Sequence, residues 1–145
     1  MSNNEIIKWT SHPLVDDTKR SILLIIVMII ISLILYQTAI INWKAPIYFI
    51  LGMAFFIGSM ITWFIPTTYI LFNEKIVIYY WIIRIEKNWN DFGCWYADNK
   101  GVMLGTFKRP RRLDNFRGQS IRFSKEKKEK DKLFELLNQK IGNRY

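Results

Sequence analysis

Two long uncharged stretches occupy the first half of the chain, and shorter runs of alternating apolar and polar positions occupy the second half. No charged residue occurs at positions 21–43, and after Lys44 none occurs at positions 45–73. Apolar runs of about 20 residues without charges are typical of membrane-spanning helices. The pattern therefore predicts a membrane protein with a distinct part that begins after Pro66.

The first stretch, residues 21–41, has Ile, Leu or Val at 14 of its 21 positions. As a helix it would be about 31 Å long, which matches the hydrocarbon thickness of a bilayer. Its apolar residues cover every helical face, so an amphipathic soluble helix is a poor interpretation. It is also long and evenly apolar for a cleaved signal peptide, and a retained membrane helix is predicted.

The second stretch, residues 47–65, predicts a second membrane helix. Tyr48 near its start and Trp63 near its end fit the aromatic belts at the two membrane interfaces. Ala54 and Gly58 lie four positions apart and are predicted to permit close helix contact, although small residues are common in membrane helices generally. Pro46 suits the first turn of a helix, so residues 42–46 predict a tight connection within a transmembrane hairpin.

Beyond Pro66 the apolar period becomes that of β-strands, rich in Ile, Val, Tyr and Trp. Asp91, Asp98 and Asp114 fall at or near predicted turns, where Asp commonly bonds its own backbone. A C-terminal helix is predicted at residues 125–141, capped by Ser124. Its apolar stripe consists of Leu133, Phe134, Leu137 and Ile141, with Leu136 beside it. Strands are predicted at residues 67–72, 76–83, 84–92, 92–97, 102–107 and 119–124.

Two apolar helices, the strand pair in residues 68–81 and the amphipathic segment 131–141 together resemble bacterial pleckstrin-homology-like (PH-like) domain proteins. The layout also resembles two-helix photosystem assembly factors. The PH-like resemblance implies an α+β fold, a partly open seven-stranded antiparallel barrel with a C-terminal helix, and binding or scaffolding rather than catalysis. No functional residue carries over from it. The predicted organisation is a cytoplasmic N-terminal segment (1–20), a two-helix hairpin (21–65) and a PH-like domain (67–145).

Charge changes the picture in one respect, because it predicts the orientation in the membrane. The chain has 21 Lys and Arg against 12 acids, a net charge of +9. In a soluble protein this balance would suggest nucleic acid, but the uncharged stretches and the lack of a nucleic-acid-binding motif argue against it. Seventeen cations follow Pro66, whereas Lys44 is the only one between the helices. The positive-inside rule then predicts a multi-pass protein of the bacterial inner membrane with both termini in the cytoplasm.

Residues 106–118 combine five cations with three apolar side chains. Such a loop, held close to the membrane, is predicted to bind anionic lipid headgroups or an acidic face of a membrane complex. The alternative is a solvated loop whose charge has no partner. The candidate binding residues are Lys108, Arg109, Arg111, Arg112 and Arg117.

Catalytic chemistry finds little support in the sequence. There is no Gly-rich phosphate loop, nucleophile elbow, His pair or Cys pair. Cys94 and His12 are the only residues of their types, so neither a disulfide within the chain nor a multi-ligand metal site is predicted. No cofactor is expected.

Three functional interpretations remain open. The first is a non-catalytic accessory or assembly subunit of a larger membrane complex, with other membrane subunits as partners. The second is a self-standing PH-like membrane module, possible as a homo-oligomer, that binds anionic lipid or peptide in envelope stress or peptide resistance. The third, least favoured, is an unrecognised membrane enzyme.

Overall fold

The computed structural model describes residues 5–145, which form two compact units. One unit consists of residues 5–11 and 66–145, and the other of residues 12–65. The regular elements are β1 (Glu5–Ser11), α1 (Pro13–Asp16), α2 (Thr18–Tyr36), a π-helical turn (Gln37–Asn42), α3 (Pro46–Ser59), α4 (Ile61–Phe64), β2 (Thr67–Phe72), β3 (Lys75–Tyr80), β4 (Ile83–Asn88), a 3₁₀ turn (Trp89–Asp91), β5 (Cys94–Ala97), β6 (Gly101–Gly105), α5 (Asp114–Arg117), β7 (Gln119–Arg122) and α6 (Lys130–Lys140).

The unit of residues 12–65 contains one helix that is long and apolar enough to cross a bilayer, among the residues that the structure describes. This helix comprises α2 and the π-helical turn, Thr18–Asn42. Asp17 caps its start, since the carboxylate accepts a hydrogen bond from the Arg20 amide at 3.4 Å. On length and composition alone such a helix is a candidate span.

The second apolar stretch is interrupted, so the predicted pair of continuous spans is not observed. Pro46 begins α3 as predicted, but the helix ends at Ser59, and Met60 (φ −97°, ψ 4°) separates it from α4. The Ser59 hydroxyl donates to the Phe56 carbonyl at 2.7 Å, a side-chain bond of the kind that bends helices. By itself α3 is shorter than a bilayer span.

Helices α2 and α3 contact each other through aromatic and small residues. The rings of Tyr36 and Phe49 meet edge to face with their centroids 6.2 Å apart. Gly52 lies against Leu35, because a Cβ on Gly52 would be 3.1 Å from a Leu35 methyl carbon. The absence of a side chain at residue 52 therefore permits the close approach of the two helices.

The other unit is a small sheet-rich domain with a C-terminal helix, which confirms that part of the predicted fold class. Its strands form a four-stranded antiparallel sheet, β1-β2-β3-β4, and a three-stranded antiparallel sheet, β5-β6-β7. Trp89 and Trp95 are buried in its core. The apolar stripe of α6 packs on that core through Leu133, Leu136 and Leu137, with Phe134 and Ile141 partly buried beside them.

The helix α6 begins at Lys130 rather than at residue 125. Ser124 is not its N-cap, because the Ser124 amide and hydroxyl both donate to the carboxylate of Glu129, at 2.5 and 2.7 Å. This pair of bonds holds residues 124–129 in turns. The predicted bounds of 125–141 are therefore wrong at the first five residues.

The N-terminal segment departs most from the prediction. Residues 5–11 were expected to belong to a separate segment, 1–20, yet they form β1 and pair with β2, which follows the apolar stretches. Trp9 is buried against Tyr69, with ring centroids 5.2 Å apart, and its indole donates to the Arg122 carbonyl at 2.9 Å. The strand thus completes the core of a domain whose other residues lie 55 or more positions away.

Candidate functional site

The five predicted binding cations lie on one loop between β6 and β7. We call residues 106–118 the basic loop. The five cations are Lys108, Arg109, Arg111, Arg112 and Arg117. All five side chains are exposed, and none of them forms an ion pair with another described residue. Unpaired, solvated cations on one loop are available to an anionic partner.

A buried carboxylate organises this loop from within. Asp114 is fully buried, and its Oδ2 accepts the Arg111 amide at 2.8 Å. Its main-chain carbonyl accepts the Gly118 amide at 2.8 Å, which closes the short helix α5. The other carboxylate oxygen, Oδ1, has no hydrogen-bond partner among the described residues. Asp114 therefore turns inward, while the neighbouring arginines point to solvent.

Close backbone approaches fix the two ends of the basic loop to the domain. A Cβ on Gly93 would lie 2.7 Å from the Phe107 carbonyl oxygen, and one on Gly118 would lie 2.4 Å from the Leu104 carbonyl oxygen. Neither position has room for a larger residue. The loop is consequently held at both ends rather than free to swing.

Apolar side chains accompany the cations. Phe116 is 87% exposed and Leu113 is 49% exposed. Phe107 is partly covered by Arg111, whose guanidinium carbon lies 4.7 Å from the ring centroid. A surface with cations interleaved with exposed apolar groups suits a membrane interface, where both kinds of contact are available.

The charge of Asp114 contributes to raised pKa values at two neighbouring groups, Cys94 and Tyr96. Burial, and then the charge of Asp114, raise the pKa of the Cys94 thiol. The same two causes, in the same order, raise the pKa of the Tyr96 hydroxyl. A buried thiol with a raised pKa is a poor nucleophile.

A second exposed group lies at the turn between β3 and β4. Trp81, Ile82 and Ile83 are 74%, 85% and 63% exposed, and we call these three residues the apolar tip. Trp81 has a φ of 46°, a conformation usually reserved for Gly in such a turn. Sequence analysis missed the tip because it contains no turn-forming residue and was interpreted as the end of a strand at 76–83.

The strand register shows at which end of the sheet the apolar tip lies. Thr67 pairs with both Ser11 and Tyr80, and Tyr80 pairs with Ile83. The tip is therefore at the end of the sheet where the chain leaves for residues 12–65 and returns from them. At the opposite end, the Lys140 ammonium donates to the Asn73 side chain at 2.6 Å, so α6 covers that end.

The basic loop ends beside the β3–β4 hairpin that carries the tip. The side-chain Nε2 of Gln119, which follows the loop directly, donates to the Tyr80 hydroxyl at 3.3 Å. The Lys87 ammonium lies 3.5 Å from the Arg117 carbonyl oxygen. Lys87 pairs with Ile76, toward the end of the hairpin opposite the tip, so the C-terminal end of the loop runs along the side of the hairpin.

The predicted helix-contact residues, Ala54 and Gly58, are exposed. Apart from its chain neighbours and its own helix backbone, a Cβ placed on Gly58 would have no described atom within 4 Å, whereas Gly52 contacts α2. Within the described residues Gly58 therefore takes no part in the contact between α2 and α3. Their use by another chain stays a prediction.

The remaining chemistry-bearing residues are Cys94 and three aspartates at turns. Cys94 is fully buried and unpaired, and the described residues contain no cluster of His, Cys, Asp and Glu that could hold a metal ion. The three turn aspartates bond their own backbone as predicted. The carboxylate of Asp91 accepts a hydrogen bond from the Asn88 backbone amide, and that of Asp98 accepts from the Lys100 and Gly101 amides. The carboxylate of Asp114 accepts from the Arg111 amide.

Comparisons with protein-family models, with curated proteins and with solved structures find no match to this chain.

Proposed function

We propose that the chain is a non-catalytic accessory or scaffolding subunit of a membrane protein complex. In this proposal residues 12–65 anchor it in the bacterial inner membrane by crossing twice, and the sheet domain is a PH-like module on the cytoplasmic side. Other membrane subunits are its partners through the exposed helix faces and the basic loop.

The observation that carries the proposal is the pairing of β1 with β2. Ser11 and Thr67 face each other in one sheet, although the whole apolar unit separates them in sequence. A folded sheet cannot be divided by a bilayer. If Thr18–Asn42 crosses the membrane, the chain must therefore cross back before Thr67.

The second crossing has suitable residues and length. No charge occurs from residue 45 to residue 73, and large apolar side chains such as Phe55 and Leu51 are exposed on α3. Residues 46–64 rise about 28 Å if they continue as a helix through Met60, close to the hydrocarbon thickness. Exposed apolar surface of this extent is unfavourable in water and favourable in lipid.

Charge supports a cytoplasmic sheet domain. The domain carries most of the cations of the chain, and the connection between α2 and α3 carries Lys44 alone. The basic loop lies on that domain, and the cytoplasmic leaflet is the more anionic one.

The strand organisation supports the PH-like assignment. The part of the chain that the structure describes has seven strands, in a four-stranded and a three-stranded antiparallel sheet followed by α6, and the resemblance implies the same number of strands and a C-terminal helix. The unusual feature is the position of the apolar unit, which is inserted between the first and second strands.

Accessibility of introduced cysteines tests the two crossings. In intact spheroplasts, we expect an impermeant maleimide to label Lys44→Cys directly, and to label Glu5→Cys and Glu74→Cys only after lysis. The unaltered chain, whose Cys94 is buried, gives the background. Labelling of Glu5→Cys and Glu74→Cys from opposite sides would contradict the proposal.

Native-size analysis after gentle detergent extraction tests the accessory role. A stable partner that co-migrates in fixed proportion supports the subunit interpretation. A small homo-oligomer without a partner supports the second candidate, a self-standing module that binds anionic lipid or peptide.

The five exposed cations of the basic loop, which form no ion pair with another described residue, favour that second candidate independently. In nanodiscs containing phosphatidylglycerol, we expect trypsin to cleave after Arg111 and Arg112 more slowly than in phosphatidylcholine nanodiscs, and high salt to abolish the difference. Lys125 and Lys132 are exposed on the same chain and serve as the internal reference. Equal protection of both regions would argue against docking by the loop.

A further inference from the structure

We infer that the apolar tip is a third membrane contact, inserted into the interfacial region of the same leaflet that the anchor enters. This inference rests on the proposed membrane anchoring, and it adds a fixed orientation of the sheet domain to it. The partner is the boundary between headgroups and acyl chains, not an individual lipid.

Exposure is the first observation. Trp81, Ile82 and Ile83 are consecutive, apolar and largely solvent-exposed at the end of a hairpin, where polar turn residues are usual. Indole rings favour the membrane interface because one part of the ring is apolar and the N–H can reach water. Ile82 is 85% exposed, so most of its apolar side chain is covered by no other part of the domain.

Position is the second observation. The pairs Ser11↔Thr67, Thr67↔Tyr80 and Tyr80↔Ile83 place the tip at the end of the sheet from which both connections to the apolar unit depart. A domain joined to membrane helices at residues 11 and 66 keeps that end close to the bilayer. The opposite end, with Asn73 and Glu74, lies about 20 Å away along the six-residue strand β3.

Charge is the third observation. The basic loop ends at Gln119, beside Tyr80 at the base of the tip. The preceding residue pair, Phe116 and Arg117, is exposed, and the Arg117 carbonyl oxygen lies 3.5 Å from the ammonium of Lys87, a residue toward the other end of the hairpin. The loop therefore runs along the side of the hairpin and approaches the tip only at Gln119. Cations on the domain that carries the apolar tip are attracted by anionic headgroups and add to the affinity of that domain for a bilayer.

Backbone strain is consistent with a functional tip. Trp81 has a positive φ, which is uncommon for a bulky residue and costs free energy that Gly would not cost. The domain gains little packing from this residue in return, since 74% of its surface is exposed. A contact outside the domain explains why a large side chain stands at this position.

The experiment measures the depth of a fluorescent probe in the full chain. Ile82→Cys and Glu74→Cys are each labelled with an environment-sensitive NBD maleimide and reconstituted in phosphatidylcholine–phosphatidylglycerol vesicles. Spin-labelled lipids with the nitroxide near the headgroup act as quenchers. Both sites are exposed turn residues. Glu74 lies in the β2–β3 hairpin and Ile82 in the β3–β4 hairpin, so the two probes differ chiefly in which end of the sheet they occupy.

We expect the probe at residue 82 to show a blue-shifted emission and strong quenching, and the probe at residue 74 to show neither. If the chain floats with the vesicles but both probes report water, the inference is overturned and the anchoring stands. If the chain does not float at all, the proposed anchoring fails and the inference fails with it. Ile82→Asp, with the same neutral-to-acidic change Asn73→Asp at the opposite end of the sheet as its matched control, provides a second readout. Loss of trypsin protection at Arg117 in the first variant only supports the inference, and unchanged protection in both overturns it.

Discussion

At the scale of the residue, Tyr69 shows how the core of the sheet domain holds a polar group. Its ring stacks on Trp9, and only 2% of its surface is exposed. Burial raises the pKa of Tyr69 from 10.0 to about 12, although a hydrogen bond from the Arg122 main chain acts in the opposite direction. The folded state therefore favours the neutral hydroxyl more strongly than the unfolded state does.

This difference predicts a loss of stability at alkaline pH. Because the folded pKa is raised, the contribution is fully present below pH 10 and is lost as the pH rises towards 12. Two pKa units correspond to about 2 to 3 kcal/mol. In Tyr69→Phe we expect the free energy of unfolding to fall less steeply over this window than in the unaltered chain. Tyr145→Phe controls for removal of an exposed tyrosine hydroxyl, and identical slopes in all three proteins would contradict the prediction.

At the scale of the element, the local spacing of apolar residues predicted those strands and helices whose pattern lies within their own sequence. Residues 67–72 match β2, and the stripe of α6 is buried as its spacing indicates. The apolar tip was missed because Trp81 and Ile82 favour strands, and only the pairing of Tyr80 with Ile83 turns the chain there. Strand ends that depend on such long-range pairing cannot be found from local composition.

The contact between α2 and α3 is a second feature that local sequence does not specify. Gly52 and Gly58 lie on the same apolar stretch, and both would gain helix propensity from a larger residue. Only Gly52 faces α2, at Leu35. The small-xxx-small spacing of Ala54 and Gly58 does not specify which helix they meet, and a contact of theirs with another chain stays a prediction.

The matched substitutions Gly52→Leu and Gly58→Leu test this assignment. We expect Gly52→Leu to destabilise the helix pair by about 1 to 3 kcal/mol through overpacking against Leu35. Thermal unfolding in detergent should show a lower midpoint for this variant, while Gly58→Leu keeps the midpoint of the unaltered chain or raises it. If Gly58 contacts another chain, Gly58→Leu should instead release that chain in native-size analysis. A lower midpoint for Gly58→Leu alone would refute the assignment.

At the scale of the whole molecule, the sheet domain is assembled from both sides of the apolar unit. The segment at residues 5–11 alternates in burial, with Trp9 and Ser11 inward and Lys8 and Thr10 outward, so a strand signal was present in the sequence. Its partner was not evident, because β2 lies beyond residues 12–65. The domain can complete its core only when both ends of the apolar unit are on the same side of the bilayer. Formation of the sheet thus depends on the return of the chain.

This dependence leads to a prediction about a residue that precedes the apolar unit. Trp9→Ala removes the ring that stacks on Tyr69 and the bond from its indole to the Arg122 carbonyl. Truncation of a large buried aromatic residue costs about 3 to 5 kcal/mol, which is a large share of the stability of a small domain. In the full chain in nanodiscs, we expect trypsin to cleave within residues 67–145 much faster in Trp9→Ala than in the unaltered protein. Lys8→Ala, an exposed change on the same strand, should leave the rate unaltered. If Trp9→Ala also has no effect, β1 does not belong to the domain, and the argument for an even number of membrane crossings loses its basis.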